Sequence, residues 1–415
     1  MARQAAAAIR YVNAGASGTG VSWSNASGDL QAMINAASSG DQIWVGIGVY
    51  QPASGQSFIM KEGVQIYGGF TGTETAINLR IPGNNSVLMG NQEAVIKNNN
   101  NNLTPAALLD GFAITNGTNS GVYNYNSSPA FVNCEFNFNT ADMGGGMNNS
   151  YYSSPTLTNC TFNSNTANTL GGGMYNSDFC FPTLTNCHFN TNETSSTLSE
   201  GGGMYLQNNC SPTLTNCSFS GNITYYGGGG IFVSRNSSAI LTGCSFSDNV
   251  VIGGAGYGAG GGIYNYNNSH LYIDNSSFIN NRAKSAGGAI NNDNSSLVLR
   301  GCMIQSNSAN SGGGLSNSKT VSISIISCLI SGNEAMSEGG GMSNYNVGNS
   351  LNVTNCTIGG NTAPSGGAIA SSSTNGPYIS NSIIYNNSSG IANTSSFPVI
   401  NYSLVQGYTD RKSVV

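Results

Sequence analysis

The stretch Gly171–Asn192 reads GGGMYNSDFCFPTLTNCHFNTN, and most of the chain restates it. A glycine pair or triplet leads to Met, Ile or Leu. A variable loop follows, then a Thr-Leu-Thr-Asn-Cys segment, then Phe-x-x-Asn, and then glycine again. The residue before the apolar one recurs at Gly146, Gly173, Gly203, Gly230, Gly262, Ala289, Gly314, Gly341 and Ala368. A second marker keeps the same step: Cys134, Cys160, Cys187, Cys217, Cys244, Ser276, Cys302, Cys328, Cys356 and Ser382. The period is about 27 residues, within the range of stacked repeats that share one core.

Three short strand signals fit in each period. Helical repeats need Ala/Leu/Glu-rich segments, which are missing, and propeller blades are longer. The pattern therefore predicts an all-β fold, a parallel β-helix of about 12 coils. Parallel crossovers are nearly always right-handed, so the expected hand is right. Alternation assigns the facing. Met147, Met174, Met204, Ile231, Ile263, Ile290, Leu315, Met342 and Ile369 point inward as a core column. The next residue, including Tyr175, Tyr205, Phe232 and Tyr264, points outward. Asn149, Asn176, Asn265, Asn292, Asn317 and Asn344 return inward, where stacked amides can bond coil to coil.

Residues 11 to about 105 lack the repeat. Ser27–Ala37 reads as a short amphipathic capping helix with Ser27 as N-cap. Gln42–Tyr50 and Val64–Phe70 read as strands. The expected organisation is a signal-peptide remnant at 1–8, a cap with irregular coils at 9–105, β-helix repeats at 106–409, and a non-native tail at 410–415. An unstructured start is the alternative for 1–8. The tail DRKSVV is charge-rich after a chain that almost avoids charge, and it reads like a translated sequencing adapter. The natural chain is expected to continue past Tyr408.

Composition narrows the function. The 415 residues include 57 Gly but only 7% charged residues, with net charge −5 and 12 Lys+Arg. Nucleic acid is excluded as a partner, because phosphate binding needs concentrated Lys and Arg. No apolar run is long enough for a membrane-spanning helix. A straight file of cysteines cannot surround a tetrahedral ion and no CxxC occurs, so neither metal nor another cofactor is expected. Buried thiols packing as small apolar groups account for the file. Cys180 and Cys210 lie apart from it, each two residues before a repeat proline, and are candidates for a disulfide. Asp274 and Arg300 fall at one outward position of consecutive coils, which predicts an exposed ion pair.

GGAI occurs at Gly287–Ile290 and Gly366–Ile369, GGG[MIL] occurs elsewhere, and Phe-x-x-Asn recurs at Phe162/Asn165, Phe189/Asn192, Phe219/Asn222, Phe246/Asn249 and Phe278/Asn281. This pairing resembles the polymorphic outer membrane protein type of right-handed β-helix repeat, whose signatures are GGA[ILV] and FxxN. The opening also looks like that of large secreted bacterial β-helix proteins. The resemblance implies a secreted or outer-surface bacterial protein acting as an adhesin or structural passenger. It implies carbohydrate, or a host or neighbour-cell surface protein, as partner. The same helix carries pectin lyase-like polysaccharide lyases and glycoside hydrolases, but their clustered carboxylates are absent, so a non-catalytic role is favoured. An ice-binding surface is a third reading. Its Thr156/Thr158, Thr183/Thr185 and Thr213/Thr215 ladder ends after three coils.

Insertions collect on one face of a solenoid. Here they are Thr194–Glu200 and Val250–Gly260, with Tyr225 and Tyr226 at the same corner. Beside them runs the expected outward stripe of Tyr175, Tyr205, Phe232 and Tyr264. An exposed aromatic platform there would bind sugar rings or a partner's apolar surface; rings merely stacking on one another would explain the same pattern.

Overall fold

The computed structural model describes residues 7–407 apart from 82, 84–85, 255–257, 320–321, 348–350, 374–375 and 394–396. The expected tail at 410–415 and most of the segment at 1–8 lie outside the described residues. The chain divides into two compact units, Met1–Asn168 with Gly172–His188, and Thr169–Gly171 with Phe189–Val415.

Both units share one cross-section of four parallel sheets, here lettered A to D. In the first unit, sheet A pairs Ala130–Val132 with Thr156–Thr158, and that strand with Thr183–Thr185. Sheet B pairs Glu135–Asn137 with Thr161–Asn163, and sheet C pairs Met147–Ser150 with Met174–Ser177. In the second unit, Ser238–Thr242 pairs with His270–Asp274 in sheet A, and Ile263–Tyr266 with Ile290–Asp293 in sheet C. The sequence predicts three strands per coil. The fourth, sheet D, comes from residues between Phe-x-x-Asn and the glycines, such as Val250–Val251 against Arg282–Ala283. These segments are two to five residues long, too short for alternation to announce them.

The glycine triplet turns the chain from sheet D into sheet C. Gly228 has φ +65°, and a Cβ on it would lie 2.4 Å from the Ile231 carbonyl. Glycine is therefore required there for both conformation and space. The expected core column is fully buried, from Met147 and Met174 to Ile263 and Ile290. Phenylalanines of sheet B stack face to face, Phe219 on Phe246 at 4.9 Å and Phe246 on Phe278 at 4.7 Å.

Two files of asparagine run inside the coils. At sheet C, Asn98, Asn124, Asn149 and Asn176 bond amide to amide at 2.9 Å, as the alternation requires. The Phe-x-x-Asn amides form the second file. The Asn249 Oδ1 accepts from both the backbone N and the Nδ2 of Asn222, while Asn249 Nδ2 donates to Phe219 O and to Asn281 Oδ1. Each amide thus satisfies a bend whose backbone groups would otherwise be buried unpaired.

The helix spans Leu30–Ala36 and buries Leu30 and Ile34. Asp29 is its N-cap, accepting from Ala32 N at 2.9 Å. The expected cap, Ser27, instead receives the Asp29 N–H and pairs its backbone with Val12. Beside the helix, Trp44 stacks on Phe70 at 4.7 Å, within a cluster that includes Tyr67, Tyr11 and Trp23. Asp274 and Arg300 are in register, but Arg300 lies over the Tyr272 ring at 5.6 Å and makes no ion pair with Asp274. A ring face holds a planar guanidinium at little cost, whereas an exposed ion pair gains little.

Candidate functional site

The predicted stripe is not a surface. Tyr175, Tyr205, Phe232 and Tyr264 are only 5, 3, 1 and 7% exposed. They do leave the coil interior as alternation requires, but the glycine turn and sheet D fold back over them. A Cβ on Gly201 would sit 3.0 Å from Tyr205 Cβ, and one on Gly227 would sit 2.4 Å from the Tyr264 ring. In the second unit Tyr205 stacks on Phe232 at 5.3 Å, and Phe232 meets Tyr264 edge-on at 4.9 Å. Tyr175 belongs to the first unit. Tyr225 and Tyr226 are half-buried at the covering corner. The enlarged loop 194–200 is closed by hydroxyls, with Thr194 Oγ1 bonded to Ser199 Oγ at 2.9 Å and to Thr224 Oγ1 at 2.7 Å. The other enlarged loop includes 255–257, outside the described residues.

Under this cover lies a carboxyl group that the sequence did not single out. Burial pushes Glu200 up from its ordinary 4.5 to about 7, against the hydrogen bond from Tyr205 and the nearby Arg235 charge. Burial, and then the Glu200 charge, raise the Tyr205 phenol. Burial and the Asp293 charge do the same to Tyr264.

A cluster of aromatic rings that does reach solvent lies in the first unit, at the turn from sheet C to sheet A. Tyr151, Tyr152, Phe179 and Phe181 are 49, 54, 41 and 48% exposed. Tyr125 stacks on Tyr151 at 5.2 Å, Tyr151 meets Tyr152 edge-on at 5.3 Å, and Tyr152 stacks on Phe179 at 5.3 Å. The backbone here is left-handed, with φ +56° at Tyr151, +63° at Tyr152 and +61° at Phe179. Other coils fill the same turn with Asn208-Asn209 or Asn267-Asn268, residues that tolerate this conformation. A left-handed aromatic costs about 1–3 kcal/mol, whereas a ring pair returns about 0.5–1.5 kcal/mol. Stacking alone therefore does not explain why rings replace asparagine. Parallel rings touch at about 3.5 Å, so centroids 5.2 Å apart are offset by roughly 4 Å and leave part of each face open. Amides and hydroxyls border the rings, and Asp178 precedes Phe179 in the same turn. Asn126 Nδ2 bonds both Asn100 and Asn102, and Ser154 Oγ accepts from Phe181 N. The substitution of Tyr-Tyr for Asn-Asn was the signal available in the sequence.

The cysteine file is buried, with Cys134 and Cys160 donating to main-chain carbonyls at 3.3 and 3.4 Å. Cys180 and Cys210 are buried too, in different units, and Cys180 donates to Ser177 O at 3.0 Å. Among the described residues, no group of three or more His, Cys, Asp or Glu converges as a metal site would require. No helix among them is long and apolar enough to cross a membrane.

A family profile described as right handed beta helix region matches residues 62–238 and 199–358. The chain belongs to that family. It is a right-handed parallel β-solenoid of about 12 turns, as the period predicts. No curated protein matches this β-helix chain. Among solved structures it is similar in fold to the Azotobacter vinelandii mannuronan C-5 epimerase AlgE4 A-module, with 13% identity over 97% of this chain and 100% of that one, and a TM-score of 0.41. It is similar also to PfbA, a surface adhesin of Streptococcus pneumoniae, with 11% identity, 95% and 91% coverage, and a TM-score of 0.38. Pectate lyase Pel9A gives 14%, 75% and 76%, and 0.37. These likenesses concern the fold alone.

Proposed function

We propose that this β-helix is an extracellular or cell-surface protein of adhesin or structural-passenger type that binds neutral carbohydrate at the Tyr151/Tyr152/Phe179 corner. The observation that carries the reading is the group of exposed rings held in left-handed backbone. A sugar presents apolar C–H faces between hydroxyls. Open ring faces bordered by amides and hydroxyls match that alternation. The scarcity of Lys and Arg fits an uncharged ligand. Secretion and the outer-membrane repeat type belong to the same proposal and rest on the paired GGA[ILV] and FxxN signatures.

A glycan array probed with the whole chain tests the reading. Retention on neutral glycans, reduced when Tyr151 and Tyr152 are both replaced by Asn, is the expected result. An array on which no glycan is retained counts against it.

A further inference from the structure

A second recess in the first unit lies away from the aromatic corner. It opens where sheet A turns into sheet B and has a volume of about 480 Å³, enough for one or two sugar rings. Its walls combine Arg80, Asp110, Asn133, Glu135, Asn159 and Thr161. Gly111, with φ +83°, forms part of the floor, and a Cβ there would approach Arg80 Nη1 to 3.2 Å. Glycine thus keeps the recess open and the guanidinium in place.

The polar groups are fixed before any ligand arrives. Arg80 donates from Nε to Ile77 O at 3.1 Å, from Nη1 to Gly68 O and Asp110 O, and from Nη2 to the Asp110 carboxylate at 3.0 Å. It also lies over the Tyr67 ring at 5.2 Å. Asp110 Oδ1 accepts from Asn133, whose Oδ1 accepts from Asn159. Asn137 steadies Glu135 at 3.1 Å. Each of these amides and carboxylates retains further donor or acceptor capacity. Ile77 and Ile81 add apolar surface along one side.

We infer that this recess is a saccharide-binding subsite selective for neutral pyranoses over uronates. The lining supplies both donors and acceptors, as ring hydroxyls require. One cation faces two carboxylates, so the lining carries a net negative charge that opposes an anionic sugar. The inference does not rest on the aromatic corner.

The test uses the whole chain carrying Tyr151→Asn, Tyr152→Asn and Phe179→Asn, so that residual binding reports the recess alone. Saturation-transfer NMR is recorded with cellobiose, maltose, lactose and digalacturonate as probes. Transfer to at least one neutral disaccharide, with digalacturonate at least fivefold weaker, is expected. Glu135→Ala and Asn159→Ala, neither of which bonds directly to the part-buried Arg80–Asp110 pair, each weaken that binding at least threefold. The inference is overturned if no neutral disaccharide binds, if digalacturonate binds best, or if both variants bind as tightly as their parent. A failed aromatic corner would leave this result untouched.

Discussion

Tyr152 and Phe179 stack at 5.3 Å from consecutive coils, and both hold left-handed backbone. Bulky side chains rarely take that conformation, and here two of them do so to bring rings together in water. Replacing Tyr152 by Asn should relieve about 1–3 kcal/mol of backbone strain and forfeit two ring contacts, with Tyr151 and Phe179, together about 1–3 kcal/mol. The expected outcome is a stability changed by less than about 1 kcal/mol. Chemical denaturation of the single variant measures it, and a loss above about 2 kcal/mol would mean that the rings are there for stability.

The interior asparagine file should behave in the opposite way. Asn249→Ala removes the acceptor for two Asn222 donors and the donor to Phe219 O and Asn281. Several buried groups are stranded at once, each costing about 1–3 kcal/mol. A fall of at least about 3 kcal/mol in denaturation free energy is expected. Asn401, whose Nδ2 donates to the Tyr378 hydroxyl at the surface from a strand, should tolerate Ala with a change under about 1 kcal/mol.

Two carboxyl groups give stability opposite pH trends. Glu200 is held near 7 in the folded chain against an ordinary 4.5. The native state therefore keeps its proton where the unfolded chain has lost it. That contribution is complete below about pH 4.5 and is lost as pH rises through about 7. In Glu74, burial opposes the charge, but bonds from Thr71 N, Thr71 Oγ1, Gly72 N and Thr73 N outweigh it and hold the group at about 2. Its contribution is present above about pH 4.5 and is lost as pH falls toward 2. Thermal melts of Glu200→Gln should lose the decline between pH 4.5 and 7, and melts of Glu74→Gln should lose the acid-side decline.

Much of this was legible in the sequence because a solenoid repeats its chemistry. Met174, Cys187 and Phe189 recur at one step, and one rule of alternation places them all inside. The facing of Tyr205 and Phe232 was also read correctly, yet their exposure was not. Alternation says which side of a strand a residue leaves by, but not whether another segment lies there. Sheet D and the glycine turn provide that cover, through strands too short to show a period. The Asp29 cap was missed because Ser27 also fits the N-cap preference, and only the backbone path separates them. Tyr151 and Tyr152 fall in the variable loop of the repeat, and the left-handed turn that makes them unusual is a property of the backbone.

The central claim is that the exposed aromatic corner binds neutral carbohydrate. Isothermal titration of the glycan retained most strongly on the array, against the native chain and the Tyr151→Asn/Tyr152→Asn/Phe179→Asn variant, tests it most directly. The account predicts at least a tenfold loss of affinity, about 1.4 kcal/mol, with the variant melting no lower than the native chain. Equal affinity in a variant that is folded would contradict it.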